Sequence, residues 1–263
     1  MIKRFMIKIY FVHAFVALFS FISFSQERIK VNTYFYHTWL QMDFHKGIIN
    51  GKTPCELNSY IDRFMQVYLC TNSDKVFMGN FNEGVKYSFK IRSTDTLEVI
   101  NSRNDEGVCI LYLSKVEDKP VLIIEDRGKK IFFIALEEKY HVPHGVEHFI
   151  NDNFFAGKYF AVEDSARIIF TTEGGISGIN NFNEYNVIVD GNFLPRHFDT
   201  VLLLEIEANG NRKVRNSTLY HWKKFKDKII LYNISKQNDE TDINLKYVNS
   251  KILNKYLTLE KIN

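Results

Sequence analysis

Gly-Asn-Phe-Asn-Glu at residues 79–83 recurs as Asn-Asn-Phe-Asn-Glu at residues 180–184, and a strand-like run with an aromatic side chain follows each copy. The later apolar runs of the two halves then appear in the same order, which is the signature of an internal repeat. The paired runs are 85–91 with 185–189, 96–100 with 201–206, 110–113 with 218–222, 121–124 with 229–232 and 131–137 with 253–260. At the start of each half, 39–43 pairs with 159–163. The pattern predicts a duplicated strand plan, the alternative being that two β-rich halves resemble each other by composition alone.

Alternation with a period of two dominates these runs. Between residues 85 and 92, Val, Tyr, Phe and Ile alternate with Lys, Ser, Lys and Arg, which is typical of a half-buried antiparallel strand. The runs 121–124 and 131–136 are apolar at every position, so we expect both of their faces to be covered, with the other half of the chain as the candidate cover. Short runs separated by turn residues predict an all-β sandwich or barrel.

The predicted organisation is two tandem, related antiparallel β-barrel or β-sandwich units with little helix. Unit 1 spans 26–140, a joint covers 141–148, and unit 2 spans 149–263. Thr53, Pro54 and Glu56 have the form of a helix-capping box with proline at the first helical position, which predicts a short helix through about Met65. A second helix is predicted from Gly145 to Asn153.

The N-terminal segment has the layout of a signal peptide. Lys3, Arg4 and Lys8 form a basic head, and residues 9–24 contain no charged side chain. Small Ser23 and Ser25 predict cleavage between Ser25 and Gln26, which makes residues 1–25 the signal peptide. The run is shorter than the roughly 20 residues of a membrane-spanning helix, so an uncleaved anchor is the weaker alternative. We expect an exported protein, periplasmic or extracellular.

Charge and hydropathy exclude several partners. Removing the three basic residues of the head from the 34 lysines and arginines leaves 31, which equals the 31 acidic residues. A near-neutral chain offers no electrostatic footprint for nucleic acid. Beyond residue 26 the apolar runs have the length of strands, so no membrane span is expected in the mature chain.

The chain has three cysteines, an odd number, so no more than one internal disulfide is available. Cys55 and Cys70 stand beside turn-like polar residues and are the better candidates for a bridge. Cys109 lies within an apolar run and is expected to behave as a small buried hydrophobic residue.

His141, His144 and His148, with Glu147, form the one sequence cluster whose residue types suit a metal. A helical turn would bring His144 and His148 together, but Pro143 and Gly145 break the helix that this geometry needs. The interpretation that we favour is a solvated segment between the units, with no metal ligands and no cofactor assigned.

The sequence carries no motif for a nucleophile, a P-loop or a dinucleotide, and we assign no catalytic residue. Three adjacent acid pairs, 125–126, 137–138 and 163–164, are expected to end strands, because neighbouring side chains on a strand point to opposite faces. Glu83 and Glu184, at equivalent places in the repeat, are interpreted as turn residues that begin a strand.

Aromatic residues are abundant, with 23 Phe, 14 Tyr and 2 Trp. Trp39 and Trp222 are expected in the core, the alternative being that they line an open barrel mouth together with Tyr112, Tyr220 and Tyr232. His221 is expected to point outward from its strand, the alternative being a place at a pocket rim.

Gly157-Lys158-Tyr159 opens a strand that several antiparallel runs follow, and this start of the second half resembles a lipocalin-like (calycin-type) β-barrel. Tyr159 stands where that family usually has Trp. In the first half, His37-Thr38-Trp39 keeps the aromatic residue but lacks the glycine. The resemblance implies carriage of a small apolar ligand, and no ligand-contact residue carries over from it.

These observations favour an exported, non-catalytic binding protein that takes a small apolar ligand or a macromolecular partner, such as an envelope protein, on a β scaffold. One alternative is an exported hydrolase acting on envelope or extracellular polymers. The other is a structural envelope component.

Overall fold

The computed structural model describes residues 30–60, 64–70, 74–81, 84–101, 106–142, 144–189, 199–207, 213–235 and 251–262. Within these ranges, 16 strands form two antiparallel sheets of eight strands each. The prediction of two tandem β units with little helix is therefore confirmed, while the limits of the units stay predictions. The predicted signal peptide and its cleavage site lie outside the described residues.

The first sheet closes into a barrel, because its first strand pairs with both the second and the eighth. Each other strand pairs with its neighbours in the chain. The strands are β1 (Trp39–Gln41), β2 (Gln66–Leu69), β3 (Lys75–Gly79), β4 (Gly84–Ser93), β5 (Thr96–Ile100), β6 (Gly107–Val116), β7 (Lys119–Asp126) and β8 (Lys129–Ala135).

The second sheet repeats this connectivity. Its strands are β9 (Gly157–Ala161), β10 (Arg167–Phe170), β11 (Ile176–Ser177), β12 (Glu184–Ile188), β13 (Thr200–Ile206), β14 (Val214–Phe225), β15 (Lys228–Ile234) and β16 (Ile252–Lys261). β9 pairs with β10 and β16, as β1 pairs with β2 and β8. β11 and β12 are the two ends of the sheet, and an isolated bridge between Gly175 and Glu184 brings them together. The second unit is therefore barrel-like. Its β11 and β12 meet only at this short seam, whereas the corresponding strands of the first barrel, β3 and β4, pair along their length.

The repeated sequence motif leads into the fourth strand of each unit. The second copy ends at Glu184, which is the first residue of β12. The first copy ends just before β4, and its residues 82 and 83 lie outside the described residues. The aromatic residues of the two copies, Phe81 and Phe182, pack against the same buried cluster. The motif thus marks equivalent positions, as the repeat predicts.

A buried phenylalanine precedes the first strand of each unit. Phe35 lies in a 3-10 turn (Thr33–Tyr36), four residues before Trp39, and belongs to the core of the first barrel. Phe155 lies four residues before Tyr159 and contacts rings inside the second barrel. Both phenylalanines have an exposed fraction of 0%. Each unit therefore has a fully buried phenylalanine four residues before an aromatic residue of its first strand, and we call this phenylalanine the aromatic plug of its barrel.

The barrel interiors are packed with side chains. If a barrel held a void large enough for water, the side chains around that void would have accessible surface. Many interior side chains instead have an exposed fraction of 0%. In the first barrel these are Trp39, Val67, Val76, Leu97, Val99, Leu111, Leu122, Ile124 and Phe133, and in the second Phe155, Val201, Leu203, Trp222, Leu231 and Leu259. Eight-stranded barrels are narrow enough for side chains to fill them.

The structure corrects two expectations about strand faces. On β4, Tyr87 and Phe89 pack against the core, but Val85 and Ile91 are exposed. The runs 121–124 and 131–136 were expected to be covered on both faces. Val121 of the first run is buried, whereas Phe132 of the second run is exposed, so the second run is covered only in part.

Two α-helices lie among the described residues, and only one of them was predicted. α1 (Met42–Ile49) follows β1 directly, where the repeat pattern predicts strand through Asp43. The Gln41 side chain accepts a hydrogen bond from the N–H of Phe44 at 2.8 Å, which caps the helix start. Phe44 and Ile48 of α1 join the buried cluster that extends into the second barrel.

The second helix, α2 (Gly145–Phe154), matches the prediction for Gly145 to Asn153. Glycine is required at its start, because a Cβ atom at Gly145 would lie 1.7 Å from the carbonyl oxygen of Tyr140. α2 packs between α1 and the second barrel, so that Phe149 lies in the cluster shared by both units.

The helix predicted from Thr53 to Met65 is wrong. One hydrogen-bonded turn, with Leu57 N–H donating to the Thr53 carbonyl, gives way to a 3-10 turn (Asn58–Tyr60). Half of the capping box forms, because Thr53 N–H donates to Glu56 Oε2 at 2.7 Å. The other half does not, since the Thr53 hydroxyl bonds to a carboxylate of the second unit.

Residues 42–65 therefore form an insertion between β1 and β2 that has no counterpart between β9 and β10, where only residues 162–166 intervene. The insertion carries α1 and the 53–60 turns, of which both α1 and Leu57 belong to the cluster shared with the second unit. None of the helices among the described residues is long and apolar enough to cross a membrane.

Candidate functional site

A surface cleft of about 460 Å³ lies where the insertion meets the second barrel. Its walls come from the 53–56 turn, from the start of β13 and β16, and from the outward face of β14. The lining residues are Thr53, Cys55, Glu56, Asp199, His221, Trp222, Lys223, Lys224, Phe225 and Ile252. We call this site the β14 cleft.

Asp199 joins the two units at the back of the β14 cleft. Its Oδ1 accepts a hydrogen bond from the N–H of Cys55 at 2.7 Å, and the Thr53 hydroxyl bonds to the same carboxyl group. Its main-chain oxygen accepts from His221 Nδ1 at 2.8 Å and from Trp222 N–H at 3.1 Å. One residue thus holds the insertion on one side and β14 on the other.

Asp199, His221 and Cys55 of the cleft are biased toward their neutral forms. Burial raises the pKa of the Asp199 carboxyl and lowers the pKa of the His221 imidazole. Burial, followed by the charges of Asp199 and Glu56, raises the pKa of the Cys55 thiol. A thiol with a raised pKa is a poor nucleophile, because the thiolate is the reactive form.

Cysteine, histidine and aspartate meet here, but not in the arrangement of a nucleophilic triad. In such a triad a carboxylate orients the histidine and the histidine activates the nucleophile. Here the Asp199 carboxylate faces the Cys55 backbone, and His221 donates to a main-chain carbonyl instead. The geometry of these hydrogen bonds holds two segments of the chain together.

The mouth of the cleft combines apolar and basic groups. Phe225 and Ile252 are 51% and 41% exposed. Lys223 lies 5.8 Å above the Tyr232 ring and makes no ion pair among the described residues. Lys224 is committed elsewhere, since its Nζ donates to the Asn153 carbonyl at 2.6 Å near the end of α2, where a cation is favourable.

The second cavity of interest is much smaller. It measures about 20 Å³, enough for about one water molecule, and lies at the β12 seam beside α2 and Phe81. Its size leaves no room for an organic ligand.

The cysteines are present as thiols, so the structure contains no Cys55–Cys70 bridge. Cys55 points into the contact with the second unit, whereas Cys70 ends β2, where its N–H donates to the Lys75 carbonyl. Cys109 is buried in the first barrel, with its Sγ 4.0 Å from Met78 Sδ, as expected for a small hydrophobic residue.

The histidine cluster of the sequence does not converge. His144 lies outside α2 with a left-handed φ of 62°, and its Nδ1 lies 3.3 Å from Glu147 Oε1. His141 turns the other way and donates from Nε2 to the Leu136 carbonyl at 2.8 Å. In the part of the chain that the structure describes, no three His, Cys, Asp or Glu side chains are placed to share a metal.

The acid pairs lie at separate places and serve local contacts. Glu125 and Asp126 end β7 opposite lysines of β8, and Glu137 forms an ion pair with Lys139 at 3.6 Å. Glu184 begins β12, as predicted, and Glu83 lies outside the described residues.

Glu163 is the most strongly held of these acids. Its carboxylate accepts hydrogen bonds from Thr258 N–H and Oγ1, both at 2.7 Å, and lies 2.9 Å from Lys255 Nζ. Burial opposes ionisation, but the hydrogen bonds from Lys255 and Thr258 outweigh it and lower the pKa to about 2. Glu163 thus fastens the turn after β9 to β16.

Glu163→Gln should destabilise the protein by about 1 kcal/mol at neutral pH, a modest loss because solvent screens this partly exposed group. The folded-state pKa is below the ordinary value of 4.5, so the contribution is present above pH 4.5 and is lost as the pH falls toward 2. Urea unfolding at pH 7 and near pH 2.5 measures it, with Asp164→Asn as the neighbouring control. An equal loss at both pH values would contradict the assignment.

Trp39 and Trp222 lie in the cores, as expected, each with an exposed fraction of 0%, and Trp222 also borders the β14 cleft. His221 lies between the core residues Tyr220 and Trp222 on β14, so its side chain points away from the barrel interior, as expected. It is nevertheless only 3% exposed, stacks on Tyr232 with ring centroids 5.5 Å apart, and lines the β14 cleft. Asp199 was missed altogether. No local signal marks it, since its partner Cys55 is 144 residues away in sequence.

Fold and site together define a class: a tandem protein of two eight-stranded antiparallel barrel units joined by an insertion, with an amphipathic cleft at the junction. No known protein family matches the chain, and comparison with curated proteins finds no similar sequence.

Proposed function

We propose that this chain is an exported, non-catalytic binding protein whose β14 cleft receives a small amphipathic ligand with an acidic group. The observation that carries the proposal is the cleft itself. Its volume of about 460 Å³ falls in the range of about 300–1,000 Å³ that is usual for small-molecule sites. Export rests on the basic head and apolar run of residues 1–25.

The charges in the cleft favour an anion over a cation. Both acids are occupied by internal hydrogen bonds, Glu56 with Thr53 N–H and Asp199 with Cys55 N–H. Lys223 makes no ion pair among the described residues, so its charge is available to a ligand. Phe225 and Ile252 supply an apolar surface of the kind that binds a hydrocarbon or aromatic body.

A surface cleft suits this protein better than a barrel interior. Because the side chains of both cores are fully buried, the barrel interiors offer no space to a ligand, and this supports binding outside the barrels. A lipocalin-like resemblance would instead imply a ligand carried inside the barrel. The raised thiol pKa of Cys55 favours binding over catalysis. The hydrolase and the structural envelope component therefore remain the weaker alternatives.

Titration with 1-anilinonaphthalene-8-sulfonate tests the site, because this probe joins an aromatic body to a sulfonate and fluoresces when bound to apolar surface. We expect one saturable site per chain. Phe225→Ala and Lys223→Ala should each weaken binding about tenfold, through lost apolar area and a lost charge-assisted contact.

Matched controls are Phe132→Ala and Lys115→Ala, which remove an exposed phenylalanine and an exposed lysine from β8 and β6 of the first barrel, strands that do not line the cleft. Both should bind the probe like the unmodified chain. Equal affinity in all four variants would place the probe elsewhere and refute the β14 cleft as the binding site. Native mass spectrometry of the protein from its own host would then identify any retained ligand and the mature N-terminus.

A further inference from the structure

His141 leaves the sequence cluster and packs against His37, the last residue of a segment that we call the strap (residues 30–37). The two imidazole rings have centroids 4.3 Å apart and planes inclined by 35°. Each histidine directly follows a 3-10 turn, and each backbone N–H closes that turn, His37 onto the Tyr34 carbonyl at 3.1 Å and His141 onto the Glu138 carbonyl at 2.9 Å. The ring pair therefore joins the strap to the joint between the units.

The strap is fastened at both ends. At its start, Asn32 N–H donates to the Thr94 carbonyl at 2.9 Å, and Asn32 Nδ2 donates to Asp95 Oδ1 at 2.6 Å. At its end, the contact is that of the His37 ring with its partner in the joint. Between these fastenings lies Phe35, the fully buried plug of the first barrel. Movement at the His37 end would therefore act directly on a side chain of the core.

The surroundings of His37 suit a neutral ring and not a charged one. An imidazolium carries a proton on both ring nitrogens, and each N–H then needs an acceptor. His37 Nδ1 is buried and makes no hydrogen bond to any described residue. His141 donates from Nε2 to the Leu136 carbonyl at 2.8 Å, so its Nδ1 is the nitrogen that takes up a proton. Protonation would thus bury an unpaired N–H at His37 and place two positive rings in contact.

We propose that the His37–His141 pair is a pH-sensitive latch, which holds the strap closed while the imidazoles are neutral and releases it when they become charged. Like charges in contact repel each other, and a buried donor without an acceptor costs free energy, so charging the pair favours the open strap. Histidine is the side chain whose charge ordinarily changes between about pH 5 and 8. The latch therefore responds to mild acid.

The groups that face His37 set the direction of this response. Burial, followed by the charge of His141, lowers the pKa of His37, while the Glu138 carboxylate acts in the opposite sense. On the strap itself, the Tyr34 ring meets the His37 ring edge-on, with centroids 5.2 Å apart. Because the folded-state pKa lies below the ordinary value of 6.5, the contribution to the closed state is present above pH 6.5 and is lost as the pH falls through the folded-state pKa. None of these residues lines the β14 cleft, so the latch and the ligand proposal are tested separately.

Amide hydrogen exchange at about pH 7.5 and about pH 5, corrected for the intrinsic exchange rate at each pH, tests the latch. The amides of Phe35 and His37 are bonded within the strap, and their opening constants should increase at least about threefold at the lower pH. The amide of Phe155, which donates to the Asn151 carbonyl after α2, is the internal control and should keep its opening constant. Equal opening of the strap at both pH values would overturn the proposal.

Two variants separate the latch from a general effect of acid. His37→Gln keeps a polar side chain that does not titrate, so its strap should open equally at both pH values. His141→Gln removes the neighbouring charge, so the imidazole NMR signal of His37 should titrate at a higher pH than in the unmodified chain. His144→Gln removes an exposed histidine of the same segment and should change neither readout. A full pH response in the His37→Gln chain, or a His37 titration that His141→Gln does not move, would refute the latch.

Discussion

Phe155→Ala should lower the free energy of unfolding by about 3–5 kcal/mol, the range for removing a fully buried phenylalanine. The Phe155 ring lies 5.4 Å from Phe170, 5.7 Å from Tyr185 and 5.2 Å from Trp222, measured between centroids. Truncation removes these contacts and leaves a cavity in the core of the second barrel. Urea unfolding followed by tryptophan fluorescence measures the loss, since Trp222 lines the new cavity.

Two further variants make the result specific. Phe160→Ala removes an exposed phenylalanine of the neighbouring strand and should cost less than about 1 kcal/mol. Phe35→Ala removes the equivalent plug of the first barrel and should cost about as much as Phe155→Ala. If Phe155→Ala were no more damaging than Phe160→Ala, the plug interpretation would be wrong.

The repeated strand plan could be predicted from the sequence because strands leave a local signal. Alternation along 85–91 and the recurring motif at 79–83 and 180–184 are readable without any tertiary contact. Tight turns at Glu117-Asp118 and Arg127-Gly128, all with positive φ, then return each strand onto its predecessor. Neighbour-to-neighbour pairing of this kind needs no long-range information.

The junction between the units could not be predicted, because it depends on partners far apart in the chain. The capping box at Thr53 predicts a helix, yet Asp199 captures the Thr53 hydroxyl and the Cys55 N–H, so the helix stops after one turn. Likewise, sequence proximity groups His141 with His144 and His148, whereas the fold places it beside His37. A local preference for helix is overridden where a polar group that is distant in sequence makes a better hydrogen bond with the same donors.

Asp199→Ala should destabilise the folded chain by about 2–3 kcal/mol, because it removes a carboxylate that accepts from Cys55 N–H and Thr53 and leaves these donors without their acceptor. The loss falls on the contact between the insertion and the second unit. Amide hydrogen exchange should therefore increase most at Cys55 and Leu57, whose N–H groups belong to the 53–57 turn. Unchanged exchange there would contradict the role of Asp199 as the link between the units.

Asp199→Asn separates the hydrogen bonds from the charge. The amide oxygen can still accept from Cys55, so this variant should lose less stability at pH 7 than Asp199→Ala.

Burial raises the folded-state pKa of Asp199 above the ordinary value of 3.8, so protonation favours the folded state. This contribution is fully present below pH 3.8 and is lost as the pH rises through the folded-state pKa. The unmodified chain should therefore gain stability relative to Asp199→Asn as the pH is lowered toward 3.8, and urea unfolding of both proteins across that range measures the difference. A difference that stays constant with pH would mean that the Asp199 carboxyl is as well solvated in the folded protein as in the unfolded chain.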